Sequence, residues 1–397
     1  MALDFQQVYA KIKEIGANVQ QRKKVLDERR TDARRLLSLY ADALDALRAR
    51  VDTVKALDPA LRCAIPLKEA LDSHFPPPPL PLNATIIAAD GSQINPDRHG
   101  QIHYGVVNVG AIVMQTNSGE SPKLFTDSLL LYDDELLTPS GNPITDGMVA
   151  LQRDLKERTK LYELAQNYPA PVITFTDGPI ELWGVRDGED ADTYQQSLRE
   201  YLGVLSKLQA RGVATAGYVD KPAADLVMRL LEVAEAPDQV LRHLREYHPL
   251  RGVSDRWLFG EKNYPLLKPG ERSAVFGISS KLEKFYKDGL SLCFFYLNVG
   301  TEGRPWPVRV EIPGWVAEDT SQLGMLHAML VAQCRVMGAK PYPYLLHRAH
   351  ETAVVSHEER LQVEQMLTRE LRSRGDETDE GSYKQSAKDL PGRSSFG

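Results

Sequence analysis

Two short apolar runs that each close on Asp-Gly constrain this chain most. Thr85-Ile-Ile-Ala-Ala89 runs into Asp90-Gly91, and Pro171-Val-Ile-Thr-Phe-Thr176 runs into Asp177-Gly178. Short β-branched apolar runs bounded by turn residues predict strands covered on both faces. Between them, Met148 to Asn167 carries Leu151, Leu155, Leu161, Tyr162 and Leu164 at helical spacing. Strand, helix and strand in succession predict an α/β body. Asp90 is expected where its strand meets a loop, with Gly91 turning the backbone sharply beside it. An acid at the end of a buried strand is costly unless something pairs with it. Two partners are open: the backbone of its own turn, or a metal ion with Ser92 and Gln93 close by.

The rest of the chain extends this pattern. Ile102 to Met114 and Leu124 to Tyr132 read as neighbouring strands. Tyr194 to Gln209 reads as an amphipathic helix, Ala214 to Asp220 as a short strand, and the stretch after Lys221-Pro222 as a helix to about Ala234. Later strands are expected at Ser273 to Ile278, Ser291 to Val299 and Trp306 to Ile312, and helices at Ser321 to Met337 and from Pro341 through Leu371. Ahead of the body, Phe5 to Leu57 has Val8, Ile12, Ile15 and Val19, then Leu37, Leu44, Leu47, Val51 and Val54, at three-and-four spacing. Arg22, Lys23, Lys24, Arg29, Arg30, Arg34 and Arg35 bias it basic. It is either a coiled-coil-like arm that dimerises or touches DNA, or a helical hairpin on its own body with a solvated charged face.

Phe75-Pro-Pro-Pro-Pro-Leu-Pro-Leu82 cannot continue a helix and predicts an extended spacer. The expected organisation is therefore a helical arm over 1–74, a Pro-rich linker over 75–82, a catalytic domain with helical insertions over 83–371, and a disordered polar tail over 372–397. With 42% apolar and 26% charged residues the chain can build a core. A net charge of −6 argues against a protein that coats nucleic acid, and leaves room for an enzyme with a local basic channel. Cys63, Cys293 and Cys334 lie far apart in apolar contexts, as reduced core thiols do. No signal peptide and no bilayer-spanning stretch are recognisable, so a cytoplasmic protein without a membrane partner is expected.

The two Asp-Gly sites, with a helical Glu157 between them and His350 late in the chain, are the pattern of a divalent-cation site. Mg²⁺ and Mn²⁺ prefer carboxylate oxygen, and clustered acids stay ionised only when a cation neutralises them. Two ions about 4 Å apart can clamp the attacking and leaving oxygens of a phosphodiester displacement. A histidine can ligate metal or act on the attacking water or leaving group. Taken singly, Asp177 also fits a turn former, Glu157 a surface acid and His350 a helix-start residue.

The ordered set Ala89-Asp-Gly-Ser92, Arg153-x-x-x-Glu157, Phe175-Thr-Asp-Gly178, Gly217-Tyr-Val-Asp-Lys-Pro222 and Tyr342-Pro-Tyr344 followed by Ala349-His350 resembles the NurA nuclease family. The likeness spans roughly Thr85 to Leu367. It implies an RNase H-like catalytic domain with a mixed sheet flanked by helices. It also implies a Mn²⁺-dependent (or Mg²⁺-dependent) 5′-to-3′ exonuclease and single-strand endonuclease on DNA. Its partners would be a second copy of the chain and the hexameric ATPase translocase HerA, in the resection of double-strand breaks. Asp90, Glu157, Asp177 and His350 would form the metal and catalytic site, with Tyr342 lining it. Glu163, on the same helix, has a claim similar to that of Glu157. The family's second Asp is usually followed by Gly-Ser; here Pro179 replaces that hydroxyl.

Lys221, Arg153 and Arg158 are candidates for phosphate contacts, and Tyr104, Trp183 and Tyr218 for stacking on unpaired bases. The chain has no Walker A motif, so ATP-driven movement would have to come from a partner. Two other readings are open: an RNase H-like nuclease acting on RNA or hybrids, and an inactive adaptor that docks a motor ATPase.

Overall fold

Strand β3 (Thr85–Ile94) pairs along its whole length with β4 (Tyr104–Gln115), antiparallel, from Thr85 opposite Gln115 to Ile94 opposite Val106. β4 pairs in turn with β5 (Lys123–Tyr132), again antiparallel. On its other side β3 runs parallel to β6 (Val172–Asp177), from Thr85 opposite Val172 to Ala89 opposite Thr176. With β7 (Ala214–Val219) next to β6, the order is β7-β6-β3-β4-β5. These facts come from a computed structural model that describes residues 3–97, 102–138, 140–184, 191–263 and 265–375.

Two units divide the chain: Met1–Leu80 with Tyr218–Pro341, and Pro81–Gly217 with Tyr342–Gly397. Strands β3 to β6 and the first four residues of β7 belong to the second. Helix α4 (Asp146–Ala165) packs on β3 and β4 and against α5 (Ala191–Ala210). Helix α10 (Tyr344–Ala353) also packs on β3 and β4. Three antiparallel strands extended by a parallel one and flanked by helices form the mixed α/β, RNase H-like arrangement. β3 and β6 are apolar for a simple reason: Ile86, Ile87, Ala88, Ala89, Ile173 and Phe175 are fully buried. β5 is largely exposed.

The first unit is built differently. Helices α1 (Phe5–Ala17), α2 (Val19–Leu39) and α3 (Leu44–Leu57) precede β1 (Cys63–Pro66) and β2 (His74–Phe75). Later come α6 (Leu226–Glu235), α7 (Asp255–Phe259), β8 (Arg272–Ser273), β9 (Phe276–Ser279), β10 (Leu292–Asn298), β11 (Pro307–Pro313), α8 (Gly314–Glu318) and α9 (Thr320–Val336). β1 pairs antiparallel with β9, β9 with β10, and β10 with β11, while β2 pairs with β8.

This arrangement changes the expected organisation. Residues 1–74 do not form a separate helical arm, because β1 and β2 are strands of the first unit's sheet. Ala33, Leu36 and Leu37 of α2 and Leu47, Val51 and Val54 of α3 are buried in that unit. The basic bias is partly consumed in pairing: Arg30 with Asp27, Arg34 with Glu261, and Arg35 with Asp32. Of the three helices α1, α2 and α3, α1 alone buries none of its residues. The predicted last helix is also two, α10 and α11 (His357–Ser373). Ser356 and Glu359 form a capping box that starts α11 afresh. Helix therefore continues to Ser373, past the expected start of the tail, and residues 376–397 lie outside the described residues. The three thiols are buried and free, and burial pushes each up to about 12. No described helix is long and apolar enough to cross a membrane.

Candidate active site

Asp90 lies within its strand, not at the strand's end. β4 keeps the ladder going past it, with Asp90 opposite Gly110, while parallel pairing with β6 stops one residue earlier at Ala89 and Thr176. That same register puts Asp177, the last residue of β6, beside Asp90 and on the same face of the sheet. Asp177 accepts the Gly178 amide at 3.1 Å, and Gly178 turns the chain with φ of 85°. Asp90 likewise accepts the Gly91 amide, at 2.9 Å, but Gly91 stays within β3, so the second Asp-Gly is a turn and the first is not.

Gly91 serves close approach instead. A Cβ there would come 2.5 Å from Arg153 Cγ and 2.5 Å from Glu157 Oε1. Helix α4 therefore sits on the Gly91 face of β3. The next residue pointing that way, Gln93, accepts from Arg153 Nη1 at 3.3 Å. The opposite face, where Asp90 points, carries α10. A Cβ on Gly110 would come 2.5 Å from Ala353 N and 2.6 Å from Ala349 O. Seating α10 over that glycine brings His350 Nδ1 to 2.6 Å from Asp90 Oδ2. A carboxylate only accepts, so Nδ1–H donates, which leaves Nε2 of the neutral ring with its lone pair. The imidazole is 59% exposed and the carboxylate 14%, so a partly buried acid orients an accessible base.

On α4, Arg153 bridges acids. Its Nη2 is 2.7 Å from Asp154 Oδ1, and its Nε is 3.4 Å from Glu157 Oε1. Burial, reinforced by Asp154 and Asp90, pushes the Glu157 carboxyl well above the ordinary glutamate range. Burial also raises Asp154, against the pull of Arg153 and Arg158, with Asp90 adding to the rise. Asp90, Asp154 and Glu157 therefore share one electrostatic neighbourhood, in which burial leads the rise and Arg153 and Arg158 oppose it.

Of the two helical glutamates, Glu157 belongs to this cluster. Glu163 is half exposed and pairs with Lys160. Asp154 is the residue that sequence reasoning missed. It stands three positions from Glu157, on the same helix face, and that spacing was the available signal.

Other expectations change. Arg158 is buried, donating to Thr176 Oγ1 at 2.5 Å and Thr215 Oγ1 at 3.2 Å, with its guanidinium over the Tyr201 ring. It braces the sheet and is shut off from phosphate. Arg153 is occupied by the site's own acids. Lys221 is exposed, in the first unit, with its Nζ 5.7 Å from the Trp306 ring centroid. Tyr104 and Tyr218 are core residues, the first donating to Glu364 and the second 3.8 Å from Cys334 Sγ. Trp183 is half exposed. Tyr342 is half-buried and stands two residues before α10.

The donor types suit a hard cation: carboxylates from Asp90, Glu157 and Asp177, and an imidazole from His350. Among the described residues, no three His, Cys, Asp or Glu side chains stand together closely enough to hold an ion as they lie.

The model of the NurA domain matches residues 84–355, more than half of the chain. The chain belongs to the NurA family. Membership supports a nuclease. No curated protein matches the chain in sequence. Among solved structures, the NurA nuclease from Sulfolobus solfataricus is 13% identical, with 92% of this chain and 97% of that one covered and a TM-score of 0.48. The catalytic domain of human Endonuclease V is 13% identical, covering 82% and 98%, with a TM-score of 0.32. LC9-RNase H1, a type 1 RNase H, is 13% identical over 32% of this chain and 61% of that one, with a TM-score of 0.21. In this NurA-family chain the matched span starts one residue before β3 and ends two residues after α10. It thus contains Asp90, Glu157, Asp177 and His350 together.

Proposed function

We propose that this chain is a Mn²⁺- or Mg²⁺-dependent DNA nuclease, with Asp90, Glu157 and Asp177 as the residues that would hold the ion. One observation carries the reading: Asp90 takes His350 of α10 at 2.6 Å on its own face, while α4 brings Glu157 to the same neighbourhood across Gly91. A cation held by these residues would supply Lewis acidity toward the phosphodiester and its attacking water. Asp90 holds the largely exposed imidazole through Nδ1, and Nε2 would accept a proton from water or pass one to the leaving oxygen. Arg153 keeps the acids together, and Tyr342 lines the site.

The fuller reading is a homodimeric 5′-to-3′ exonuclease and single-strand endonuclease acting on single-stranded DNA and duplex ends in double-strand break resection. A HerA-type hexameric translocase would supply movement, since the chain has no Walker A motif. Lys221, exposed beside Trp306, would contact phosphate.

End-labelled single-stranded and blunt duplex DNA, with RNA and hybrid controls, test the core of this. Hydrolysis of DNA with Mn²⁺, stopped by EDTA and lost in Asp90→Asn, is the expected result. Full activity in Asp90→Asn, or undiminished activity in EDTA, would sink the assignment. Adding the translocase to the same assay tests the partnership, through a gain in duplex resection.

A further inference from the structure

We infer that Ser92 and Asn108 are positioning residues for His350, acting through the backbone carbonyl of Ala353. The role assigned to His350 rests on the nuclease reading above; the geometry does not. Ala353 is the last residue of α10, and the final carbonyls of a helix have no partner within it. Two side chains of the sheet meet this one. Ser92 Oγ donates to Ala353 O at 2.5 Å, and Asn108 Nδ2 donates to it at 2.7 Å. Ser128 Oγ donates to Asn108 Oδ1 at 2.7 Å. A carbonyl only accepts, so Asn108 must turn its NH₂ to Ala353, and Ser128 then satisfies the other end of the amide.

The register explains why these three residues can cooperate. Ser92 stands opposite Asn108, and Asn108 opposite Ser128, so they form one row across β3, β4 and β5. The next row on the same face is Asp90 and Gly110. α10 is therefore fixed at two adjacent rows. Gly110 sets how close its backbone comes, and the Ser92–Asn108 pair sets where its last turn stops. His350 lies three residues before Ala353, on the turn that these contacts hold. A helix pinned at one carbonyl by two donors can neither slide along the strands nor roll about its axis without breaking both bonds. Those are the two motions that would pull His350 Nδ1 away from Asp90 Oδ2. Ser92 thus has a job that leaves its hydroxyl turned to a helix end, although it belongs to the Asp-Gly-Ser run beside the acid.

The test uses the full-length protein. Ser92→Ala and Asn108→Ala should each lower kcat on single-stranded DNA roughly 10- to 100-fold with KM held within about 3-fold, as loss of an orienting contact does. Ser92→Thr, which keeps the hydroxyl, should restore most of the rate. In a His350→Ala background, Ser92→Ala should cost nothing further, because the residue it positions has gone. A loss of the same size in both backgrounds would overturn the proposal, since it would mark a purely structural role. A second arm needs no activity: in ¹⁵N-histidine-labelled protein, the hydrogen-bonded Nδ1 signal of His350 should move in Ser92→Ala and return in Ser92→Thr. An unmoved signal would also overturn the proposal. If Ser92→Ala does not fold, Ser92→Cys, which keeps the volume with a weaker donor, is read in its place. If the wild type cleaves no nucleic acid, the nuclease reading fails, and the NMR arm still decides whether Ser92 places His350.

Discussion

A methyl group on residue 91 would overlap two side chains of α4 at once, each at 2.5 Å. Glu157 Oε1 is the tip of a side chain and can swing aside, but Arg153 Cγ is close to its backbone and cannot. Gly91→Ala should therefore push α4 off β3, cost about 1–3 kcal/mol in urea unfolding, and lower activity by moving Glu157. A second residue-scale effect lies away from the site. Asp255 is fully buried, accepts the amides of Val227 and Met228 and the Tyr296 hydroxyl, and has its carboxyl pushed by burial up to about 7. Its folded pKa lies above the unfolded value of about 3.9, so the folded chain holds the extra proton. Its contribution to stability is then present below pH 4, lost as pH rises towards 7, and level above that. Urea midpoints measured across this range should fall with pH, and less steeply in Asp255→Asn. At this scale the sequence was legible unevenly. Asp90 and Asp177 announced themselves through a repeated strand pattern. Asp154 did not, because an acid beside arginine on a charged helix looks solvated. Arg158 misled for the same reason: its buried partners are threonines on strands, which helical spacing cannot reveal.

Elements were easier to read than their joins. The strands at 85, 102, 124 and 171 and the helix at 148 stand within a few residues of where apolar spacing placed them. What spacing could not show is that β3 continues through Asp90. That depends on β4, which supplies a partner for residues 90 to 94 after β6 has ended. The break between α10 and α11 was written in Ser356 and Glu359, a capping box that follows directly on Ala353-Val354-Val355. Gly110 offers the sharpest test of an element's seating. An added Cβ there meets the backbone of α10 at Ala353, Ala349 and Thr352, and backbone cannot rotate out of the way. Gly110→Ala should thus lift α10 and cost more than Gly91→Ala, at or above the upper part of the same range of about 1–3 kcal/mol. The comparison of the two variants in one unfolding series checks it, and equal losses would argue against rigid seating.

At the scale of the molecule, one compact unit runs to Leu80 and the other starts at Pro81, within the Pro-rich stretch. The remaining crossings, at Tyr218 and Tyr342, were not legible. One falls within a strand and the other between two prolines, and neither carries a linker's composition. The arm read as one helical domain splits accordingly. α2 and α3 contribute core residues, so removing all of 1–75 should unfold the first unit. Removing only 3–17, the exposed α1, should leave the unfolding free energy within ~0.5 kcal/mol of the full chain. Denaturation of both truncations checks this. Light scattering of the shorter one tests whether the exposed Phe5, Tyr9 and Ile12 mediate self-association. The separation of Asp90 from His350 by 260 positions has a consequence during synthesis. At about 5–20 residues per second, the ribosome makes the acid roughly 10 to 50 s before its histidine partner. Every chain that stops short of α10 carries Asp90 without His350. On the proposed nuclease reading, such an incomplete product would hold the acids and lack the imidazole, so the order of translation would keep it inactive.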